Sequence, residues 1–513
     1  MKKNRIWLYK TIVVVLLLVL TTGCKKDEGD PNPPTDTVSN VEEAFPGVTG
    51  KLMDFVINGG TITVENINDK YVFQGDIFLT EDQLNSGSRK AAGLNSIIHG
   101  WTCQTVYYKI NDKLSNRKDD IMAAIQNYEA NTPLKFEERT DQDNYIEFVW
   151  DADGSASYLG MIGNRQEIWI SDKAITGTII HEIGHAVGLI HEHSREDAYL
   201  YIDILWDNIG LSDKKAVANF GTINTLFKTS SFDFNSIMLY PSDAWSISPK
   251  LFTIVKKDGS TFPAKRDALS VDDINFIKSI YSPELIDIDG NVYRTVLIGN
   301  QIWMAENLKT TRLNDGSTID LKTEWFHAKS MTPGYSYYGY SITNLNTFGA
   351  LYDWYAVGTG KLCPTGWHVP SLADWSPLLV FLDPEAKIGP NYKSEIAGGK
   401  LREIGTLQDG TGYWKAPNWP VIATDAVCFS ARPNGRARFF PWDAITIQHD
   451  DIGEVATWWC SDIGDNILHP MYGEGGIPYY EKYCMRIFHD RDDFWASDGM
   501  YSYKHVAVRC LKD

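Results

Sequence analysis

The stretch that decides the fold is residues 181–197, which read H-E-I-G-H-A-V-G-L-I-H-E-H-S-R-E-D. His181 and His185 are four residues apart, so on a helix both imidazoles lie on one face and can bind the same metal ion. Glu182 comes directly after the first histidine and is not itself a ligand. This position, beside the metal, is the one that a base needs in order to activate a metal-bound water. A short H-E-x-x-H pattern also occurs on ordinary helices that bind no metal. The residues that follow therefore decide whether this segment is a metal site or an ordinary helix.

The continuation of this stretch supplies a third ligand. Gly188 is predicted to end the helix, because glycine tolerates the positive φ of a sharp turn. The turn then brings back His191, and three protein ligands leave one position open, which predicts one catalytic Zn²⁺. A thermolysin-type hydrolase is the alternative zinc enzyme. It is disfavoured because its third ligand is a distant glutamate rather than a nearby histidine.

A second motif lies downstream, where residues 236–240 read S-I-M-L-Y. The soft, unbranched side chain of Met238 suits an apolar floor beneath a metal site made of three histidines. The alternative is a buried strand with a methionine in the core.

Together, H-E-x-x-H-x-x-G-x-x-H-E-x-x-R-x-D and S-x-M-x-Y resemble the astacin family of secreted metalloendopeptidases, which are metzincins. The resemblance implies that one zinc ion is bound by three histidines, His181, His185 and His191. It also implies that Glu182 is the general base. Tyr240 resembles the tyrosine that ligates zinc at rest and then stabilises the tetrahedral intermediate. The substrates implied are proteins or peptides.

The resemblance extends to two charged residues outside the metal motif. Glu192 matches the glutamate that contacts the mature N-terminus in this family. Arg266 lies in a segment resembling the one where several astacins place an arginine in the pocket for the residue after the cut. A guanidinium there would pair with a carboxylate and favour acidic substrates. The alternatives are a surface arginine that is solvated or paired with Asp267, and a one-residue shift that places Lys265 in the pocket.

An inhibitory segment is predicted before the protease domain, at residues 47–90. Within it, residues 73–76 read F-Q-G-D and resemble the F-x-G-D motif of astacin propeptides. The carboxylate of Asp76 is therefore expected to take the open position on zinc, although a lone tetrapeptide of this kind also reads as a turn. The basic pair at 89–90 is a candidate cut site, and Ala91 resembles the start of a mature astacin.

The first residues of the sequence predict an export signal. Residues 1–24 combine a basic start, a short apolar run and small residues before a cysteine, and they resemble a bacterial lipoprotein signal with Cys24 as the lipidated residue. A plain secretory signal is the alternative. Residues 25–46 are polar, acidic and proline-bearing, which predicts a disordered tether. The charged residues at 26–28 resemble a surface-export signal or form a solvated cluster. The expected location is the outer membrane, exposed at the cell surface through the lipid anchor, or the medium after processing.

Apolar patterning predicts the elements of the protease domain, residues 91–282. Strands are expected at 105–110, 145–150 and 166–171, with helices around 121–128, at the zinc motif and after Ser270. Strand 166–171 alternates as a half-buried edge strand does. The resemblance implies that such an edge pairs with an extended substrate.

The C-terminal part, residues 287–513, carries different motifs. Residues 298–308 read I-G-N-Q-I-W-M-A-E-N-L, residues 363–370 read C-P-T-G-W-H-V-P, and residues 508–510 read V-R-C. Together they resemble the Fibrobacter succinogenes major paralogous domain, a C-type-lectin-like α+β module. A binding or spacer role is implied, with glycans or cell-surface ligands as partners. The overall fold class predicted is therefore α+β, a metzincin domain followed by a lectin-like one.

Composition narrows the class of protein. A chain of 513 residues with 43% hydrophobic content predicts two globular domains and a tail. The net charge of −18 argues against nucleic acid as a partner. Membrane contact is expected through the lipid anchor only.

Export permits disulfides, and seven cysteines less the lipidated Cys24 leave six. Cys103 is alone in the protease domain, so complete pairing would bridge it to the C-terminal domain; otherwise at least two thiols stay free. The pair Cys363–Cys510 is favoured because it would tie the start of the C-P-T-G-W segment to the last strand. The remaining pairs stay open.

Two functions of different classes fit the whole chain. The first is an endopeptidase made as a zymogen. The second is a surface adhesin or glycan-binding lipoprotein with an accessory protease module. Glu182 separates them, because a protease module that had lost its activity would be free to lose its base. The residue is present, which favours the enzyme.

Overall fold

The computed structural model describes residues 41–57, 60–85, 98–223, 231–323, 332–387, 393–418, 421–438, 448–463, 481–501 and 504–513. The predicted lipidation site Cys24, the cut site at 89–90 and Ala91 lie outside the described residues. So does most of the predicted tether, residues 25–40. Within the described ranges, no helix is long and apolar enough to cross a membrane.

The segment before the protease domain is a β-meander. Its elements are β1 (Lys51–Ile57), β2 (Gly60–Ile67), β3 (Lys70–Phe73), β4 (Ile77–Leu79) and the short helix α1 (Glu81–Asn85). Strands β1 to β4 pair antiparallel in chain order. Asn68 and Asp69 both have positive φ between β2 and β3, as the tight turn of a two-residue hairpin requires.

The protease domain alternates strands and helices. Its elements are β5 (Thr105–Ile110), α2 (Lys118–Asn131), β6 (Lys135–Glu138), β7 (Tyr145–Asp151), β8 (Ala156–Tyr158), β9 (Arg165–Ser171), α3 (Thr176–Ala186), β10 (Ile202–Ile204), α4 (Asp213–Phe220), β11 (Ile254–Lys256) and α5 (Val271–Tyr281). The predicted strands and helices are present, and α2 buries the apolar side chains at 121, 124, 125 and 128 that predicted it.

One sheet joins the two parts, in the strand order β1-β2-β3-β4-β8-β9-β7-β5-β6. The prediction that strand 166–171 is an edge is wrong. This strand, β9, is flanked by β7 and β8, and β4 adds to β8 in parallel. Alternation along a sequence reports that one face of a strand is half-buried, whereas the neighbours of a strand depend on distant segments. The protease strand covered by the meander is therefore β8.

Helix α3 is held in place by hydrogen bonds from three buried aromatic residues. Tyr128 of α2 donates to the carbonyl of Ile180 at 2.7 Å, and the indole of Trp101 donates to the carbonyl of Ala186 at 2.8 Å. Tyr281 at the end of α5 donates to the carbonyl of Val187 at 3.0 Å. These contacts anchor the middle and the C-terminal end of the helix that carries the metal motif.

The C-terminal domain is built of short strands with few helices. Its elements are β12 (Leu285–Ile286), β13 (Val292–Tyr293), β14 (Thr295–Ile298), β15 (Gln301–Met304), β16 (Asp320–Leu321), β17 (Gly334–Ser336), α6 (Ile342–Phe348), β18 (Leu351–Tyr352), α7 (Trp354–Val357), β19 (Trp367–His368), α8 (Leu372–Leu382), β20 (Lys393–Ser394), α9 (Ala397–Leu401), β21 (Asn434–Arg438), β22 (Gln448–Ile452), β23 (Val455–Ile463), β24 (Glu481–Phe488), β25 (Arg491–Tyr501) and β26 (Leu511–Lys512). Two four-stranded sheets, β14-β15-β26-β19 and β20-β25-β24-β23, organise its core.

The protease and C-terminal domains share core and backbone contacts. Leu297 of β14 and Ile302 of β15 are buried in the same apolar cluster as the protease helices. The amide of Gly100 donates to the carbonyl of Gly299 at 3.0 Å. A disulfide between Cys103 and Cys428 links the two domains covalently.

The sequence left two outcomes open for the cysteines, a bridge from Cys103 to the C-terminal domain or at least two free thiols, and the structure shows both. Cys103 does bridge to the C-terminal domain, and the predicted pair Cys363–Cys510 is confirmed. Among the described residues, Cys460 and Cys484 are free and buried. Trp459 of β23 lies opposite Cys484 of β24, so the neighbouring Cys460 faces the other side of the sheet. Adjacent strands therefore hold two thiols that do not face each other.

Candidate metal centre

The two helical histidines meet on the buried face of α3. Their Nε2 atoms lie 3.1 Å apart, one helical turn separating His181 from His185. The helix ends at Ala186, and Gly188 has a φ of +105°, as the sequence predicted. The amide of Gly188 donates to the carbonyl of His185 at 2.9 Å, which closes the turn. His191 returns beside the helix, its ring centroid 4.8 Å from that of His185.

Each histidine is oriented through its outer nitrogen. The Nδ1 atom of His181 lies 2.8 Å from the carbonyl oxygen of Ile237, and that of His185 lies 2.8 Å from the carbonyl oxygen of Leu189. The Nδ1 atom of His191 lies 3.1 Å from the side-chain oxygen of Gln74. Such partners set the tautomer, leaving Nε2 of every ring free to bind a metal.

The carboxylate of Asp76 lies among these three nitrogens. Its Oδ2 atom is 3.1 Å from Nε2 of His181 and 3.3 Å from Nε2 of His191, and its Oδ1 atom is 3.7 Å from Nε2 of His185. Burial favours the neutral acid, but the charges of His191 and His185 hold the pKa of Asp76 well below its usual range. The backbone fixes this position, because the amide of Ser157 in β8 donates to the carbonyl of Asp76 at 3.0 Å.

The four side chains fit a zinc ion. One donor atom from each of Asp76, His181, His185 and His191 lies within 4.8 Å of every other, and all four residues are buried. Oδ1 of Asp76 and Nε2 of His191 are buried polar atoms without a hydrogen-bond partner in the described structure. Three imidazoles and one carboxylate are a tetrahedral ligand set typical of Zn²⁺.

Glu182 lies next to this group in a fully buried position. Neither carboxylate oxygen has a hydrogen-bond partner within the described ranges of the chain. Burial raises the pKa of Glu182 well above its usual range, and the negative charges of Asp76 and Glu42 raise it further. A carboxyl group in these surroundings readily holds a proton, as a group that shuttles one must.

The S-I-M-L-Y segment, residues 236–240, is fixed by the start of α5. Both carboxylate oxygens of Asp273 are engaged there, one accepting from the hydroxyl of Ser236 at 2.7 Å and the other from the amide of Ile237 at 3.0 Å. Asp273 also completes the capping box with Ser270. The sulfur of Met238 then lies against Gly184 of α3, beneath the histidines.

The predicted catalytic tyrosine is tied to the β-meander. The hydroxyl of Tyr240 donates a hydrogen bond to the carbonyl oxygen of Gln74. The side-chain oxygen of Gln74 is the partner of Nδ1 of His191. Gly75 follows with a φ of +90°, and a Cβ there would lie 3.0 Å from the ring of Trp245, so the turn requires glycine. The F-Q-G-D motif thus contacts the tyrosine, a histidine and the metal position.

Arg266 is buried and paired, in contrast to the solvated alternative and to pairing with Asp267. Its Nε and Nη2 atoms donate to the two carboxylate oxygens of Glu42 at 2.7 and 2.6 Å. Burial would raise the pKa of Glu42, but the charge of Arg266 outweighs it and lowers the pKa to about 2. Glu42 falls in the segment predicted as a disordered tether, so the placement of residues 41–46 corrects that boundary.

Comparison with known proteins places these motifs in families. A family model for the astacin peptidases matches residues 93–282, and a model for the Fibrobacter succinogenes major domain matches residues 296–512. Astacin-like metalloprotease toxin 2 of Loxosceles intermedia is 31% identical over 219 residues, which are 42% of this chain and 84% of the toxin. The chain belongs to the astacin family.

Other astacin relatives match in part. Flavastacin of Elizabethkingia meningoseptica is 31% identical over 285 residues, covering 52% of this chain and 62% of flavastacin. Zinc metalloproteinase nas-8 of Steinernema carpocapsae is 35% identical, covering 35% of this chain and 44% of its own. The chain therefore spans less than two thirds of these two relatives. The structure of high choriolytic enzyme 1 from Oryzias latipes is 28% identical, with a TM-score of 0.33, covering 35% of this chain and 92% of that one.

Glu192 of the astacin domain has protein partners in this structure. It accepts from the amide of Asp233 at 2.8 Å and lies 3.3 Å from Nη1 of Arg195. Burial raises the pKa of Glu192 to about 8, against the opposing charge of Arg195. The mature N-terminus predicted to contact Glu192 begins at Ala91, outside the described residues.

Sequence reasoning missed two residues of the astacin site. His193 stacks on Tyr240 with ring centroids 4.0 Å apart, and its Nε2 atom lies 2.9 Å from the carbonyl oxygen of Asn219. Its place two residues after His191 is a signal that could have been used. Glu42 carries no such signal, because an acidic residue in a polar segment looks solvated until its partner is known.

Proposed function

We propose that this chain is the latent precursor of a zinc-dependent endopeptidase that hydrolyses peptide bonds in proteins. The observation that carries the proposal is the convergence of three histidine Nε2 atoms on one carboxylate, with Glu182 beside them. Membership of the astacin family supports it. The donor set fits a single zinc ion, held in the active enzyme by His181, His185 and His191.

The side chains divide the work of the reaction. Zinc, when bound, supplies Lewis-acid chemistry that acidifies water and polarises a carbonyl. Glu182 takes the proton of the attacking water on a carboxylate oxygen and passes it to the leaving amine. The hydroxyl of Tyr240, once released from Gln74, donates a hydrogen bond to the oxyanion of the tetrahedral intermediate. His193 supports this step by stacking on the tyrosine ring.

Latency follows from the same contacts. Asp76 takes the position of the attacking water, and Gln74 holds Tyr240 away from substrate. Strand β4 pairs with β8, so an extended substrate has no free edge there. Cleavage after Lys90 would remove all three blocks, because the whole meander precedes the cut.

A preference for acidic residues after the scissile bond is the second part of the proposal. The guanidinium of Arg266 lies beside the metal centre and already binds a carboxylate with two nitrogen atoms. A planar guanidinium donates two parallel hydrogen bonds to the two oxygens of a carboxylate. Neutral side chains do not form this charged pair of bonds.

The location and further partners are proposed from the sequence. Export, lipidation of Cys24 and anchoring at the outer membrane, with exposure at the cell surface, are supported by the signal-like first 24 residues. The C-terminal domain is proposed to bind glycans or cell-surface ligands. Trp458 and Trp459 are fully buried and belong to the core, whereas Trp354 and Trp367 are half-buried. We therefore do not propose Trp458 or Trp459 as residues that stack on sugars.

A peptide library tests the endopeptidase. Full-length protein is cut after Lys90, freed of residues 1–90 and incubated with the library, with and without a zinc chelator. We expect cleavage that the chelator abolishes and added zinc restores, with Asp or Glu enriched after the cut. Absence of any zinc-dependent cleavage would overturn the proposal.

A further inference from the structure

Residues 41–46, called the strap here, lie across the astacin domain. The amide of Ala44 donates to the carbonyl of Gly75 at 2.8 Å, and the carbonyl of Glu43 accepts from the amide of Ser155 at 2.9 Å. The ring of Phe45 packs edge-on against Trp169, with centroids 5.3 Å apart. The strap is therefore fixed both to the meander and to the protease strands.

Glu42 comes directly before these anchoring residues, and its side chain is turned into the protein. Its carboxylate accepts from Nε and Nη2 of Arg266 and, at 3.3 Å, from the hydroxyl of Thr178 in α3. The carboxylate and the guanidinium are only 8% and 10% exposed. Two short, parallel, charge-assisted hydrogen bonds in a buried place are the strongest form of carboxylate recognition.

This pair lies one carbonyl group away from the metal centre. Nη1 of Arg266 donates to the carbonyl oxygen of Ile237 at 2.7 Å, and the same oxygen is the partner of Nδ1 of His181. A carboxylate on Arg266 thus lies beside the metal ligand, where the side chain next to a scissile bond would lie. Asp76, from the same segment of the precursor, occupies the metal position at the same time.

We propose that Glu42 is a built-in ligand of the Arg266 pocket, inserted as an acidic side chain of a substrate would be. The inference rests on the proposed function, since it assigns to that active site both a recognition residue and the group that blocks it. The precursor is then closed at two points, the metal position by Asp76 and the pocket by Glu42. Binding of an acidic substrate residue and binding of the strap exclude each other.

The buried guanidinium of Arg266 gives a physical reason for the second point of closure, Glu42. An arginine left without a carboxylate in this place would be an uncompensated buried charge. Glu42 neutralises it in the precursor, and an acidic substrate residue does so in the processed enzyme. A neutral substrate residue offers no such compensation, so the open pocket should bind an acidic residue more tightly than a neutral one.

The test uses full-length precursors in which Arg89→Ala and Lys90→Ala prevent cleavage and Asp76→Ala opens the metal position. Glu42→Gln is added to this background, because it keeps the shape and removes the charge. Glu43→Gln is the matched control, since the neighbouring carboxylate accepts from the indole of Trp245 and not from Arg266. Two peptides that differ only in Asp or Asn after the cut serve as substrates.

We expect Glu42→Gln to raise kcat/KM for the Asp peptide by about tenfold, the scale of one charged hydrogen bond, because the strap then leaves the pocket more readily. The Asn peptide must displace the same strap, so its kcat/KM should rise by the same factor, and the Asp peptide should remain the better substrate. Glu43→Gln should leave kcat/KM of both peptides unchanged. An unchanged kcat/KM with Glu42→Gln, while both peptides are hydrolysed, overturns the proposal and leaves the endopeptidase standing. Silence of both precursors, with the processed enzyme active on the same peptides, also overturns it.

Hydrogen exchange provides a readout that needs no catalysis. In zinc-depleted precursors, the amides of residues 41–45 should exchange about tenfold faster with Glu42→Gln than with Glu43→Gln, since opening is controlled by the buried pair. Equal exchange in the two variants contradicts the proposal. If exchange responds but no variant and no processed protein cleaves any peptide with zinc present, the proposed function fails, and Glu42 is reduced to a structural anchor.

Discussion

Replacing Asp76 with Asn in a precursor that cannot be cleaved tests the proposed latency of this astacin directly. The substitution keeps the size of the side chain and removes its charge, while Arg89→Ala and Lys90→Ala keep the chain intact. We expect the variant precursor to hydrolyse a fluorogenic peptide roughly a hundredfold faster than the unsubstituted precursor.

The magnitude follows from the surroundings of the carboxylate. Asp76 is fully buried, and its oxygens lie 3.1 to 3.7 Å from the three histidine nitrogens. Removing one partner from a buried charge cluster costs roughly 3–5 kcal/mol. The pairing of β4 with β8, the bond from Tyr240 to Gln74 and the contact of Glu42 with Arg266 remain, so the lower end of this range applies. About 3 kcal/mol corresponds to roughly two orders of magnitude in the open population.

The assay measures turnover together with the zinc content of each protein. Asp69→Asn is the matched control, because it makes the same chemical change at an exposed turn of the same meander. Its precursor should stay as silent as the unsubstituted one. If the Asp76→Asn precursor is equally silent, although it binds zinc and the cleaved protein is active, Asp76 is not the group that blocks the metal.

Three further outcomes are expected. Glu182→Gln in the processed enzyme should keep zinc bound and lower kcat by about 10²–10⁴-fold; full activity with zinc present would refute its role as the base. Arg266→Ala in the processed enzyme should lower kcat/KM for peptides with Asp after the cut and spare neutral ones. An equal fall on both would assign the arginine to supporting the carbonyl of Ile237. Without reductant, Cys103→Ser should lower the free energy of unfolding by about 2–4 kcal/mol. Cys428→Ser and the double variant should lower it by the same amount, because each removes the same disulfide. An unchanged melting temperature would show that the disulfide does not contribute to stability.

Much of the metal centre was predictable because its parts lie close together in the chain. His181 and His185 share a helix face through a four-residue spacing, and the glycine turn returns His191 within six residues. The role of Asp76 was predictable only through a motif that resembles those of related propeptides. Its contact with the histidines, 105 residues away from His181, depends on the pairing of β4 with β8.

Other parts of the site could not be predicted because they depend on distant partners. Glu42 and Arg266 are 224 residues apart, and neither local segment carries a sign of the other. Alternation along strand 166–171 predicts an edge, but it describes the two faces of the strand and not its neighbours, and β9 lies between β8 and β7. Counting required Cys103 to bridge to the C-terminal domain only if every cysteine paired, and the choice of Cys428 as its partner depends on the packing of both domains.

The sequence by itself determined the chemistry of this protein, namely three imidazoles, a base and a glycine turn within one short stretch. That was possible because helix periodicity and the left-handed turn of glycine are local properties of the chain. The F-Q-G-D motif predicted Asp76 at the metal position, whereas the tertiary structure alone showed its contacts with the histidines and placed Glu42 on Arg266. Those contacts form only when the sheet brings remote segments together and burial removes the water that would otherwise solvate each charge.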